Sequence, residues 1–173
     1  VVAIFFVIGV EHLTLGSIND YATILKLPSP ENYVWLVSVA MIIGYLMGVI
    51  FIPKYVSQHQ ALLISTITGV LITLAIVVVP INISIYLVGL LGFANAMLWP
   101  AVWPIAIADL GKFTKVGSSL LVTGIIGGAF LPLVFGYVAE RSSYQIAYLV
   151  YLPAYAYIIY YALSGSKIRT VKQ

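Results

Sequence analysis

The sequence predicts an all-α membrane protein built from six transmembrane helices. Composition is the first reason: 62% of the 173 residues are hydrophobic, 8% are charged and the mean hydropathy is +1.11. A soluble domain carries roughly 25% charged residues, so this chain has too little polar material to cover a globule of its size. The second reason is a series of six apolar runs, each near the roughly 20 residues that cross a bilayer as a helix. The third is where the basic residues fall. With six spans the connecting turns alternate between sides. One side receives Lys54, Lys112, Lys115, Lys167, Arg169 and Lys172, the other Lys26 and Arg141. The positive-inside rule puts the richer side, and with it the C-terminus, in the cytoplasm.

The first span covers residues 1–25. Its middle holds Glu11, His12, Thr14, Gly16, Ser17, Asn19 and Asp20, which a plain lipid-facing helix would not. Residues 27–32 read LPSPEN, and two prolines that close together stop a helix. The second span, 33–52, carries Gly44 and Gly48 at the spacing that lets a neighbouring helix approach closely. A polar turn at 53–60 precedes the third span, 61–79, which Pro80 ends. Residues 81–84 read as a very short loop before the fourth span, 85–108. A charged turn at 109–115 leads to the fifth span, 116–139. The sixth, 144–163, is rich in tyrosine, and a basic cytoplasmic tail at 164–173 closes the chain. The whole chain, 1–173, reads as a single bundle. It begins at Val1, already inside an apolar run, with neither the basic start nor the small-residue cleavage site of a signal peptide. It is therefore expected to be part of a larger protein.

Several classes are excluded. The net charge of +3 is spread over turns and forms no basic face for nucleic acid. Without cysteine there are no disulfides or thiolate metal sites. His12 and His59 lack ligand-spaced partners, so no metal is expected. No catalytic or cofactor motif is present, so neither enzyme chemistry nor a cofactor is expected.

Glu11 is the sharpest candidate for function. A carboxylate near mid-membrane costs roughly 2.5–3.5 kcal/mol on insertion scales. It persists where it faces a cavity, finds a partner or takes up a proton. On a helix Glu11, Leu15 and Asn19 share one face, and His12, Gly16 and Asp20 the next. Glu11 and Asn19 can line one polar strip, and Glu11 reads as a hydroxyl acceptor for a substrate, as a proton-responsive group or as a structural hydrogen bond to a neighbouring helix. His12 reads as a packing residue donating to a backbone carbonyl, and Asp20 as a solvated group near the outer end. Asn95, Trp99 and Trp103 recur every four residues on the fourth span. An amide beside indole rings suits a sugar, because the amide bonds hydroxyls and the ring packs on the apolar face of the pyranose. Trp103 lies nearer the cytoplasmic end, where the interfacial belt is the simpler reading. Pro100 and Pro104 can kink this span. Gly117, Gly124 and Gly128 share a face of the fifth span and read as a packing seam.

The run GFANAMLWPAVWPIAIADLGKFTKVGSSLLVTGIIGGAFLPLVFGYVAE, residues 92–140, resembles the helix 10–11 region of the fucose permease and glucose/galactose transporter group of the major facilitator superfamily. Leu110-Gly111-Lys112-Phe113-Thr114-Lys115-Val116-Gly117-Ser118-Ser119 and Ile125-Ile126-Gly127-Gly128 carry the likeness most closely. Gly9-Val10-Glu11 and Gly16-Ser17-Ile18 resemble the group's seventh helix, and the turn from Gly48 to Lys54 its loop between helices 8 and 9. Trp103 stands where the group often has Phe. The resemblance implies the C-terminal six-helix bundle of a twelve-helix fold. It also implies a monosaccharide–proton symporter of the cell inner (plasma) membrane, working by alternating access. The partners would be a monosaccharide, H+, the bilayer and an N-terminal six-helix half. The group's proton-coupling carboxylates sit in that other half, so no coupling role carries onto this chain. Glu11, Asn19, Asn95 and Trp99 are the expected substrate-binding residues; Gly44, Gly48, Gly117, Gly124 and Gly128 are the expected packing glycines. The alternatives are a transporter of the same fold for another solute, or a six-span interaction protein that transports nothing.

Overall fold

The computed structural model describes residues 1–52 and 54–167. Arg169 and Lys172 of the predicted basic tail therefore lie outside the described residues. Among those described, six helical stretches are long and apolar enough to cross a membrane: Val2–Ile24, Pro30–Phe51, Gln58–Val78, Ile81–Ile107, Gly111–Arg141 and Tyr144–Lys167.

The first stretch is one helix, α1 (Val2–Ile24), and the second is mostly α2 (Val34–Phe51). Between them Lys26 and Ser29 adopt left-handed backbone, which turns the chain before Pro30 opens a short 3-10 segment. α3 (Gln58–Val78) starts at a capping box: Ser57 accepts from the Gln60 backbone N–H, while the Gln60 side chain accepts from that of Ser57. α4 (Ile81–Ala96) begins directly after Pro80. Residues 81–84, expected as a loop, are its first turn. Proline restricts the residue before it and leaves the residues after it free to coil.

The fourth span is interrupted at one residue, whose backbone stays in the right-handed helical region. α4 ends at Ala96, Met97 forms the joint, and α5 (Leu98–Ile107) continues. Pro100 has no N–H to offer the carbonyl of Ala96, four residues earlier. In the turn after α5, Asp109 and Gly111 take positive φ, a conformation that Gly and Asp tolerate better than most residues. The fifth span is α6 (Thr114–Val122), a 3-10 turn at Thr123–Ile126, and α7 (Gly127–Arg141). The sixth is α8 (Tyr144–Ala147), a 3-10 turn at Tyr148–Val150, and α9 (Tyr151–Leu163).

α1 and α4 form the inner layer, with α2 and α3 flanking α4, the α6–α7 span against α1, and α9 against both α3 and α1. Glycines set the close approaches. A Cβ on Gly44 would lie 2.6 Å from the Ala96 Cβ and 3.0 Å from the Phe93 carbonyl oxygen, so α2 rides on α4. Gly124, Gly127 and Gly128 face α1, where added Cβ atoms would meet Ile4, the Phe5 carbonyl and the His12 ring. Gly117 does not join them; it abuts Leu110 of the preceding turn. Gly124 already packs on Val1 and Ile4 at the start of α1, so Gly117, two turns earlier, lies past the end of that helix. The outward surface is largely apolar, with Leu46, Val49, Ile50, Leu71, Val78, Ile126 and Leu133 all exposed, as lipid contact requires.

Candidate functional site

α1 breaks that apolar surface. From Glu11 to Asp20 each turn presents the same order: one half-buried residue, one exposed, then two buried. Leu13, Thr14, Ser17 and Ile18 face inward, Glu11, Leu15 and Asn19 lie at the edge, and His12, Gly16 and Asp20 face out. Glu11, His12, Asn19 and Asp20 thus lie along an outward polar stripe that runs from the middle of a membrane helix toward its C-terminal end.

Neighbouring spans close both sides of the stripe. From α2, the Tyr45 hydroxyl donates to Glu11 Oε1 at 3.2 Å. From α7, Gly128 leaves room for the His12 ring, whose Cγ would be 3.0 Å from an added Cβ. His12 Nδ1 bonds the Ile8 carbonyl at 3.1 Å, so that nitrogen carries the proton. Tyr45 also lines an open pocket of about 210 Å³ with Gly48, Val49, Ile52, Met97 and Pro100. Its far wall is the joint between α4 and α5 at Met97.

The other expected contact residues are spread over different places. Trp99 is half-buried on α5, its ring 5.0 Å from that of Trp103 and tilted at 40°. The Asn19 carboxamide is engaged at both ends: Nδ2 donates to the Glu31 carbonyl at 2.9 Å, and Oδ1 accepts from the Val34 N–H at 2.8 Å. It caps α2 from the side. Asn95 is 1% exposed. Its Nδ2 donates to Thr14 Oγ1 at 2.9 Å and lies 3.4 Å from the Val10 carbonyl, while Oδ1 accepts from the Tyr155 hydroxyl at 2.8 Å. Glu11 and Tyr45 are therefore the pair that meets at the stripe, and the two asparagines hold helices together around it.

Asn95 belongs to a buried hydroxyl ladder between α1 and the sixth span. Thr14 meets Tyr151 at 2.9 Å, Ser17 meets the Tyr148 hydroxyl at 2.9 Å, and Tyr144 donates to the Ser17 carbonyl at 2.9 Å. Tyr21 bonds Ser84 at the end of the row. Tyr148, Tyr151 and Tyr155 are fully buried, and their rings run in series at 5.7 and 5.8 Å. Gly69 makes room for the Tyr155 ring, whose Cζ would be 2.6 Å from an added Cβ. The signal for this ladder was in the sequence, since Tyr144, Tyr148, Tyr151 and Tyr155 recur at helical spacing. What it lacked was the identity of the facing helix. An apolar cleft of about 270 Å³ between α2 and α3, lined by Met47, Phe51, Ile64 and Phe93 among others, contains no titratable group and offers no chemistry. Among the described residues no group of three His, Cys, Asp or Glu could hold a metal ion.

No protein-family model matches the chain. Individual proteins do. It is 31% identical over 114 residues to a glucose/galactose transporter of Brucella abortus, covering 66% of this chain and 28% of the relative. It is 27% identical over 173 residues to a putative glucose/galactose transporter of Helicobacter pylori, covering 95% of this chain and 42% of the relative. To the L-fucose-proton symporter of Escherichia coli it is 23% identical over 139 residues, covering 80% of this chain and 31% of the relative. The chain thus spans less than half the length of these relatives. Its fold matches a crystal structure of FucP, a major facilitator superfamily transporter, in the outward conformation. The TM-score is 0.85 at 23% identity, over 93% of this chain and 40% of that one. In fold, then, this chain carries a six-helix half of the major facilitator superfamily architecture, and in sequence it is similar to the sugar transporters above.

Proposed function

We propose that the chain is the C-terminal half of a secondary active transporter that moves a monosaccharide across the cell inner membrane by proton symport. The observation that carries the reading is the polar stripe on α1. Glu11 is half-buried and His12 exposed in the middle of a membrane span, and Asn19 and Asp20 continue the stripe toward its outer end. Polar groups at that depth are tolerated where they face a water-filled cavity or more protein, and such groups mark substrate pathways. A second six-helix half placed over the stripe supplies both. The substrate then sits between the halves near mid-membrane, and rocking of one against the other exposes it alternately to each side. The names of the relatives support a monosaccharide, and the symporter's name supports coupling to protons.

In this reading Glu11 accepts a sugar hydroxyl and Trp99 offers an indole face, while Asn95 and Asn19 fix the helices that present them. The loop charges support a cytoplasmic C-terminus, with the turns that carry Lys54, Lys112 and Lys115 on the same side. The experiment is uptake of labelled glucose, galactose and fucose by the full-length protein, in cells without their own carriers for these sugars. Uptake of at least one sugar that a protonophore abolishes is expected, and Glu11→Gln and Trp99→Ala should each raise its KM. Absence of uptake for every monosaccharide would sink the reading.

A further inference from the structure

We propose that Tyr45 is a positioning residue for Glu11, holding one carboxylate oxygen so that the other accepts a hydroxyl of the bound sugar. The inference rests on the transport reading above and adds a residue and a contact to it. Tyr45 donates to Glu11 Oε1, and Oε2 makes no hydrogen bond among the described residues. A carboxylate has lone pairs on both oxygens. Fixing one of them from a neighbouring helix sets the plane of the group and directs the second.

Three features set this pair beside open space, the first through Glu11 and the other two through Tyr45, since Glu11 itself does not line the pocket. Glu11 lies at the edge of the polar stripe, beside exposed His12 and one turn from exposed Gly16. Tyr45 lines the open pocket that ends at Met97 and Pro100, at the joint between α4 and α5. Gly48, one turn along α2, keeps the pocket floor tight, because an added Cβ would lie 2.5 Å from Met97 Sδ. The chemistry selects the ligand. A lone carboxylate with a phenol beside it repels anions, and no cluster of three His, Cys, Asp or Glu surrounds it among the described residues to bind a metal cation. A neutral polyol gives such an acceptor a charge-assisted O–H···O bond.

The test uses the full-length protein and a set of monodeoxy analogues of the sugar it transports. In the wild type, loss of the hydroxyl that meets Glu11 should raise KM about tenfold. Tyr45→Phe should raise KM for the parent sugar roughly five- to tenfold, hold Vmax within about twofold, and shrink the penalty for that one analogue. Glu11→Gln should shrink it further, and the double variant should be no worse than Glu11→Gln alone. A purely structural tyrosine would lower Vmax with the amount of protein in the membrane and leave the analogue pattern intact. Tyr86→Phe, on an exposed tyrosine, is the control and should change nothing. Should Tyr45→Phe reach the membrane poorly, the analogue pattern of Glu11→Gln decides the sugar contact by itself. An unchanged analogue pattern, or losses that multiply in the double variant, overturns the assignment while leaving transport standing. A wild type that takes up no monosaccharide overturns both.

Discussion

Tyr155 on α9 donates its hydroxyl to Asn95 Oδ1 on α4 at 2.8 Å, and neither side chain is more than 1% exposed. The same amide reaches Thr14 on α1 at 2.9 Å. One carboxamide therefore ties three spans inside the bundle, out of reach of water and lipid alike. Asn95→Ala leaves a buried phenol without its acceptor and should destabilise the protein by about 1–3 kcal/mol. Tyr155→Phe should cost less, near the 0.6 kcal/mol or so typical of hydrogen bonds between membrane helices. The double variant should lose less than the sum of the two, because both removals break one shared bond. Thermal unfolding in detergent measures all three, and strict additivity would show that the bond does not couple the spans.

Gly127 and Gly16 predict opposite outcomes for the same substitution. A methyl group at Gly127 would collide with the Phe5 backbone carbonyl, which cannot rotate away. Gly127→Ala should therefore push the α6–α7 span off α1 and cost about 1–3 kcal/mol. Nothing lies within 4 Å of the Cβ position at Gly16. Gly16→Ala should be neutral or should stabilise α1 by up to about 1 kcal/mol, from the better helix propensity. Equal effects of the two on melting temperature would contradict the packing described for α1.

Thr73 is fully buried on α3, and its Oγ1 has no hydrogen-bond partner among the described residues. Thr66, on the same helix, returns its hydroxyl to the Leu62 carbonyl at 2.6 Å. An unpaired buried hydroxyl costs about 1–3 kcal/mol, and valine has the same shape without it. Thr73→Val should raise the melting temperature and leave transport unaltered. A lower melting temperature would mean that the hydroxyl has a partner after all.

The absence of cysteine makes the orientation directly testable. Single cysteines at Lys54 and Lys112 should react with a membrane-impermeant maleimide only from the cytoplasmic side. One at Lys26 should react only from the opposite side. Labelling of all three from one side would reject the alternation of turns on which the cytoplasmic C-terminus rests.

The sequence made two kinds of feature legible. Each apolar run carries its own evidence for crossing a membrane, because hydrophobic length is a local property. The faces of α1 were equally local: a period near 3.6 placed Glu11 with Asn19 and His12 with Asp20, and their burial repeats turn by turn. The irregularity of the fourth span was half legible. Pro100 and Pro104 announced a kink, while the interruption at Met97 depends on which carbonyl Pro100 leaves without a donor.

Partners across the bundle were not legible. Nothing in the local pattern distinguishes an asparagine that meets a ligand from one that meets a tyrosine 60 residues away, as Asn95 does. The role of Asn19 depends on how closely α2 returns after the Lys26–Ser29 turn, which is a matter of backbone geometry. Gly117 is off the seam because α1 starts opposite Gly124, which only the packing of the two spans reveals. By itself, then, the sequence determined the six spans, the polar face of α1 and the superfamily resemblance, since each is written in residues close together along the chain. The tertiary structure alone decided that Tyr45 reaches Glu11 and that the tyrosines of the sixth span bond α1. Those contacts join residues far apart in the chain, and only the packed backbone sets their distance.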